Sequence, residues 1–547
     1  MFHFIRAFFS SLFMKPFGRF LLIILCAVIV QLILFSQKNL FHPDDFFTYM
    51  MANGEKGTFS PEYDENFYNK AWGGDYFQAL VTQRGNSSFS LMWKNLPRDN
   101  HMPIYFVLLR GICSFFEPVF SITPAVILNV LALIFLLFGF YALLKRIFKD
   151  EEIAVAGTFW FAFSYTVLSL EVYIRMYLLW MVFIVWLINF MIAFLEDEKN
   201  KSLIFVGLFS VLQILTHFYG FVFEFSLALS GFLMLWGSSF KHKIKKIVAF
   251  TATVLLSVLS AFLIYPGMLK TIRFGDRGAQ TTGILHEWFT HPYQVFLGQF
   301  ELLKEALYFD WKWLLGVMAI SLLLCLIKKS DMEKRYRLIM GFLMLLILLY
   351  MAIVMAVMPE ILHYSLRYFA VILPFVFILL LFVWLVLGKL FGFHRYLIIL
   401  SILIVGGVNA INHALYQDSP FYFRGTNEHK KMENMVKASD IWYGLTGGPK
   451  GGTWNTFYIL DKLATADTFW SLVNFDDKNF IEFSIAEQGR KKYAYLFLGK
   501  EAADVKSDVI HWIKKTTNRK AYYLFTIENK FPNTEAFEAS VFLVAPY

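Results

Sequence analysis

Residues 19–37 read RFLLIILCAVIVQLILFSQ, and a few positions later the chain reads HPDDFFT, residues 42–48. The first stretch carries no charge after Arg19 and, as a helix, is long enough to cross a bilayer core of about 30 Å. The second places two adjacent carboxylates, Asp44 and Asp45, at the mouth of that span. Carboxylates beside the hydrocarbon cost free energy unless they are solvated or in use, so the pair reads first as a functional site. The plainer alternative is a loop in which Asp caps a short helix.

The pattern of residues 19–37 recurs along most of the chain. Of 547 residues, 58% are hydrophobic, 19% aromatic and only 17% charged, and 63 are Phe. A soluble domain carries about 25% charged residues. Mean hydropathy is +0.54. The reading is a polytopic α-helical membrane protein of about eleven spans, near 19–37, 122–144, 153–169, 175–195, 202–219, 221–239, 247–265, 313–327, 338–358, 368–388 and 396–413. The short apolar stretch 103–117 contains Arg110 and suits a helix lying at the interface or dipping into the membrane. The first span is too long for the apolar core of a signal peptide and reads as a retained anchor.

Lys and Arg set the orientation. Arg6, Lys15 and Arg19 stand at the N-terminal side of the first span, and alternate short loops carry Lys145, Arg146 and Lys149, then Lys199 and Lys201, Lys241 to Lys246, Lys328 to Arg337, and Lys389 with Arg395. The positive-inside rule puts these loops and the N-terminus in the cytoplasm, at a cytoplasmic (inner) cell membrane, and eleven crossings put the C-terminus outside. The net charge of +9 is spread over these loops rather than gathered in a stripe, which argues against nucleic acid. Cys26, Cys113 and Cys325 lie in apolar segments and imply no disulfide framework.

Residues 1–415 therefore form a transmembrane domain with outer loops at 38–102 and 266–312, and 416–547 a small extracytoplasmic α/β domain. Strand-like runs at 493–498, 521–526 and 540–544 alternate there with a helix-like run at 502–515. Gly447 to Gly452 is glycine-rich but lacks the Lys-Ser/Thr ending of a phosphate loop, and reads as a turn. No fixed-period repeat is visible.

The polar residues with chemical potential fall on the outward side. They are Asp44 and Asp45, His101, Glu171 and Arg175 in a tight turn between spans, His217 at a span end, His363 and Arg367, and a basic cluster of Lys270, Arg273 and Arg277. Glu171 and Arg175 are four apart, so a continuous helix would pair them; otherwise Arg175 is available to a phosphate, which its planar fork suits. His217 read alone is a structural hydrogen-bonding residue, and Arg367 read alone a side chain snorkelling to the interface. His286, Glu287 and His291 lack zinc-site spacing.

Four segments, in order, resemble the polyprenyl-phosphate-dependent GT-C glycosyltransferases, above all the bacterial branch near the protein O-mannosyltransferases and the lipid A aminoarabinose transferase. His42 to Thr48 is similar to the family's first-loop D-E segment, and Asn100 to Leu109 (NHMPIYFVLL) to its H-P-P-L-Y-x-L-L segment. Arg175 to Leu179 (RMYLL) is similar to R-M-Y-x-L, and Arg367-Tyr368 with Pro374 to R-Y…P. Together they cover about 17–413. The chain departs from the pattern with Asp45 for Glu, Met102 for Pro, and Tyr173 where the family often has Glu two positions before the Arg; Glu171 stands four before.

The resemblance implies an enzyme: a membrane glycosyltransferase moving a hexosyl or pentosyl group from a polyprenyl-phosphate sugar to an extracytoplasmic glycan, glycolipid, cell-envelope polymer or protein, with inversion. It implies Asp44 as the catalytic base beside Asp45, and Arg175, Arg367 and Arg273 as groups for the donor phosphate. His101, Tyr177, Glu171 and His217 would position donor or acceptor, and a divalent cation is a candidate cofactor held with Asp45 and His101. A transporter or lipid flippase is the alternative; it would place ionisable groups near the bilayer midplane and show repeat symmetry. A non-catalytic anchor for the tail would tolerate Asp44→Asn.

Overall fold

The structure is a computed structural model of the chain. It describes residues 15–54, 89–98, 101–117, 120–197, 201–238, 242–269, 334–357 and 366–416, with 71–72, a few positions between 286 and 323, and the regular elements of the tail between 423 and 546. Arg273, Lys270, Arg277, His363, Gly447 to Gly452 and most of 313–327 lie outside the described residues.

From the N-terminal side the elements are α1 (Pro16–Gln37), β1 (Lys38–Leu40), α2 (Pro43–Asn53), β2 (Ala71–Trp72), α3 (Phe89–Asn95), α4 (Pro103–Cys113) and α5 (Thr123–Phe148). There follow α6 (Glu151–Ala162), α7 (Tyr165–Glu171), α8 (Tyr177–Asp197), α9 (Lys201–Ile214), α10 (Gly220–Gly237) and α11 (Lys243–Ile264). After α12 (Lys334–Val357), a short turn at Leu366–Phe369 and a 3-10 turn lead into α13 (Leu373–Leu390) and α14 (Arg395–Tyr416). Seven helices among the described residues are long and apolar enough to cross a membrane, and the pair α6 and α7, bent by 61°, makes an eighth if it is one span. Helices stand at ten of the eleven expected positions, though α9 has only 14 residues.

α8 is the central helix, 78% buried over its apolar window, and it packs between α5 and α9. α1 and α14 lean on α6, and α10 packs on α11 and α12. The bundle is aromatic throughout: Phe20 stacks on Tyr141, and Trp186, Phe190 and Phe209 form a stack joining α8 to α9. Outward-facing leucines such as Leu255, Leu259 and Leu263 on α11 are exposed, as expected for a lipid-facing stripe.

The tail elements match the α/β reading: β4 (Asp440–Leu445), β5 (Thr468–Val473), β6 (Ala494–Gly499), α15 (Lys506–Thr517), β7 (Arg519–Glu528) and β8 (Glu538–Pro546). They build a six-stranded sheet ordered β2-β5-β4-β6-β8-β7, with β4 parallel to β5 and β6, and β8 antiparallel to β6 and β7. The sheet is not confined to the tail. Its edge strand β2 comes from the segment between α2 and α3, with Ala71 opposite Trp470. β3 (Phe423–Arg424) also pairs with β1, Lys38 opposite Arg424, just before the Asp44–Asp45 segment.

Candidate active site

The site is built where helices stop. Pro43 opens α2, and the His42 imidazole caps it: His42 Nδ1 accepts from the Asp44 N–H at 3.1 Å, while Asp45 Oδ2 accepts from the His42 N–H at 2.9 Å. This reciprocal capping box satisfies two orphan donors of the first turn. The capping carboxylate is therefore Asp45, not Asp44.

Asp45 also organises the turn at 172–176. α7 ends at Glu171, and the freed main-chain groups lie at a bundle edge where an unpaired amide or carbonyl is costly. Asp45 Oδ1 accepts from the Ile174 N–H at 2.8 Å, Lys38 Nζ donates to the Val172 carbonyl at 2.8 Å, and Asn129 Nδ2 donates to the carbonyls of Glu171 and Tyr173 at 3.0 and 2.9 Å. Gln31 Nε2 donates to the Glu171 carbonyl at 2.9 Å. Lys38 Nζ closes the group with an ion pair to Asp45 Oδ2 at 2.6 Å, both side chains almost wholly buried.

The turn so held presents Tyr173 and Arg175 to Asp44. Arg175 Nη2 lies 2.7 Å from Asp44 Oδ1, and Arg367 Nη1 lies 2.6 Å from Asp44 Oδ2. The Tyr173 hydroxyl donates to Asp44 Oδ2 at 2.5 Å and accepts from Arg367 Nη1 at 3.0 Å. The carboxylate is thus gripped by two guanidiniums and a phenol, with its side chain 13% exposed. Burial alone would raise the Asp44 carboxyl, but Arg175 and Arg367 outweigh it and hold it well below the usual carboxylate range. Burial pushes His42 down to about 3, so its imidazole is neutral and its Nδ1 accepts from the Asp44 N–H.

The cluster continues on both sides. Arg175 Nη1 lies 2.9 Å from His101 Nε2; a guanidinium only donates, so Nε2 accepts and the His101 proton sits on Nδ1. On the other side the Arg367 guanidinium lies over the rings of Tyr177 and Tyr368, at 5.7 and 5.1 Å. His217 stacks on Trp180 at 4.4 Å and meets Tyr177 at 5.2 Å.

Of the residues singled out in the sequence, the structure brings Asp44, Arg175, Arg367, His101, Tyr177 and His217 together. Asp45 is adjacent but turned away, into its ion pair with Lys38. The Glu171 carboxylate is not brought to Arg175: the helix ends between them, the carboxylate oxygens are buried without a hydrogen-bond partner among the described residues, and only its carbonyl joins the turn. Arg273 lies outside the described residues. The sequence reading missed Lys38, Gln31, Asn129 and Tyr173. Tyr173 carried a signal, since it stands where the resembled family has Glu.

A divalent cation does not fit the two carboxylates as they stand. Cations and N–H donors already ring both, and no three His, Cys, Asp or Glu converge among the described residues.

The fold and site define a helical membrane protein with an acid–guanidinium cluster at one end of its bundle. No family model matches the chain, and a sequence search of curated proteins also gives no match. Among solved structures it is similar to the Archaeoglobus fulgidus oligosaccharyltransferase in complex with Zn and sulfate, at 11% identity and a TM-score of 0.46, over 94% of this chain and 72% of that one. It is similar to ArnT from Cupriavidus metallidurans bound to undecaprenyl phosphate, at 10% identity and a TM-score of 0.45, over 96% and 97%. It is also similar to the archaeal oligosaccharyltransferase AglB from Archaeoglobus fulgidus in complex with an inhibitory peptide and a dolichol-phosphate, at 10% identity and a TM-score of 0.44, over 94% and 74%.

Proposed function

We propose that the protein is a membrane glycosyltransferase that moves a sugar from a polyprenyl-phosphate donor to an acceptor hydroxyl or amine on the outward face. The observation that carries this reading is the buried Asp44 carboxylate between Arg175 and Arg367, within reach of His101, Tyr177 and His217. Asp44 takes the acceptor proton as the acceptor attacks the anomeric carbon; the bond from that carbon to the phosphate oxygen breaks, and the lipid phosphate leaves with its electron pair. A single displacement of this kind inverts the anomeric centre. Arg175 and Arg367 stabilise the charge that develops on the leaving phosphate.

The clamp on Asp44 gives donor binding a second effect. A carboxylate held far below its usual range is a weak base. A phosphate that takes hydrogen bonds from Arg175 and Arg367 weakens their hold on Asp44 and raises its basicity when the donor is in place. In the free protein the same clamp keeps Asp44 ionised. Asp45 and Lys38 act through the 172–176 turn, as positioning residues.

The test is a transfer assay. Wild type and Asp44→Asn, reconstituted in vesicles, are incubated with a panel of radiolabelled polyprenyl-phosphate sugars and a membrane extract as acceptor source. Loss of label from one lipid donor by wild type but not by Asp44→Asn supports the reading and identifies the sugar. Full turnover in Asp44→Asn overturns the assignment of the base, and failure of wild type to bind any donor favours transport.

A further inference from the structure

At the end of the bundle opposite Asp44, a cavity of about 1020 Å³ opens between α1, α5, α8, α10 and α12. Its walls are apolar, among them Phe138, Trp186, Met234 and Leu338. The Trp186 indole N–H already donates to the Phe135 carbonyl at 3.2 Å, so the wall asks for no polar ligand. Phe138 is seven positions before Lys145, which gives the cavity about 10 Å of apolar depth along α5.

The rim is basic: Lys145, Arg146, Lys149 and Arg335 line it, against the single carboxylate Glu196. Arg146 and Arg335 are committed to Glu196 and to main-chain carbonyls. The two lysines are different. Lys145 pairs with Glu151 across a half-exposed contact. Lys149 is exposed, sits in the left-handed region at the C-cap of α5 with φ 53°, and has no ion-pair partner among the described residues. That backbone state is unusual for a side chain other than glycine, asparagine or aspartate. Counting Glu151, two positive charges remain uncompensated above an apolar pit that opens at the bundle's end, one on Lys149 and one shared by Arg146 and Arg335 around Glu196, while the half-exposed Lys145–Glu151 pair is open to exchange for another anion.

We propose that this cavity binds an acidic glycerophospholipid of the leaflet opposite Asp44, with its phosphate between Lys145 and Lys149 and its acyl chains against Phe138, Trp186, Met234 and Leu338. Charge complementarity selects the occupant: basic pockets between spanning helices hold anionic head groups, and an apolar wall of this depth offers nothing to a soluble anion. The site is independent of the transfer reaction, lying at the far end of α5 and α8 from Asp44.

The experiment is native mass spectrometry of the delipidated full-length protein titrated with phosphatidylglycerol or with phosphatidylcholine of the same acyl chains. Wild type should retain one phosphatidylglycerol in clear preference to phosphatidylcholine. Lys149→Ala should reduce that preference about five-fold, and the double variant Lys145→Ala/Lys149→Ala about thirty-fold, at roughly one such step per basic residue. Met234→Trp, which fills the cavity, should reduce retention of both lipids. Lys201→Ala, a charge removal at the same end of the bundle outside the cavity, should change nothing. Equal retention of the two lipids by wild type, an unchanged preference in the double variant, or an equal loss in Lys201→Ala would overturn the proposal. The readout is binding, so its failure leaves the transferase reading untouched, and the converse also holds.

Discussion

Each end of the bundle holds one carboxylate between two guanidiniums, and the two triads differ in what surrounds them. At one end Glu196 lies between Arg146 and Arg335. Arg335 also donates to the carbonyls of Ile147 and Arg146, main-chain acceptors that the end of α5 leaves unpaired. That triad closes helix ends and staples α5, α8 and α12. At the other end Asp44 lies between Arg175 and Arg367, and the neighbours are Tyr173, His101 and Tyr177, side chains with exchangeable protons or ring faces. Its three members stand on a helix start, a turn between helices and a short turn before α13, none of them in mid-helix. The same charge pattern thus serves cohesion where helices end normally and is available for chemistry where they are interrupted.

The widest expected split is between Asp44→Asn and Glu196→Gln. Asp44→Asn should lower label transfer per folded molecule by about 10²- to 10⁴-fold, the usual contribution of a positioned base. Glu196→Gln should lower the midpoint and leave transfer per folded molecule intact. Equal loss of transfer in both would dissolve the distinction between the two ends.

Lys38→Met comes next. It leaves the buried Asp45 carboxylate without its cation, at a cost of about 3–5 kcal/mol, and loosens the turn that carries Tyr173 and Arg175. Because Asp45→Asn removes the buried charge that Lys38→Met leaves unpaired, and its single amide oxygen still accepts from one of the two amides of His42 and Ile174, the double variant should be less impaired than the sum of the two singles. Additive losses in chemical denaturation would show that the pair does not act as a unit. On the proposed reading, Arg367→Ala removes one charge-assisted contact to the donor phosphate, worth about 1.5–3 kcal/mol, and should show mainly as a higher donor KM. An unchanged KM would mean that Arg367 only anchors α13 at the interface.

The acid limb of the pH profile sharpens the same contrast. Asp44 is held below its unfolded value of about 3.9, so the stability it contributes is complete above that pH and is lost as pH falls through the folded value. The stability difference between wild type and Asp44→Asn should therefore narrow only under acid. The acid limb of kcat/KM should lie below the ordinary carboxylate range, and that of kcat, read with the donor phosphate on the two arginines, should lie higher. Coincident limbs would mean that the phosphate does not release Asp44.

The membrane architecture was legible because apolar stretches of span length admit few alternatives, and motif order singled out Asp44, Arg175 and Arg367 as candidates, which the fold brings into contact. The division of labour between Asp44 and Asp45 was not, because it depends on where α2 begins: successive residues on a helix point about 100° apart, so a start at Pro43 turns one carboxylate to the arginines and the other to Lys38. The Glu171–Arg175 pair, one of the two readings of that turn, needed an unbroken helix, and α7 stops at Glu171. Gln31 and Asn129 did carry a signal, as lone amides inside apolar runs, and such residues usually hold main-chain groups or partners within the bundle. The short edge strand β2 has no periodicity from which to read it.

The smallest expected effect tests how tightly the rear of the site is fixed. Gln213 accepts from the Trp180 indole at 3.2 Å and donates to the Gly220 carbonyl at 3.1 Å and to Glu224 at 2.9 Å, so it ties α8 and α10 to the turn that carries His217. A Cβ on Gly220 would stand 2.8 Å from Gln213 Oε1 and 2.8 Å from the Ile214 Cα, and the main-chain contact cannot be relieved by a rotamer. Gly220→Ala should therefore displace the 215–219 turn at a cost of about 1–3 kcal/mol, the usual range for overpacking. If His217 orients a substrate beside Tyr177, the displacement appears as a several-fold rise in KM with kcat little changed. If His217 only packs on Trp180, the thermal midpoint falls and both kinetic constants stay where they are.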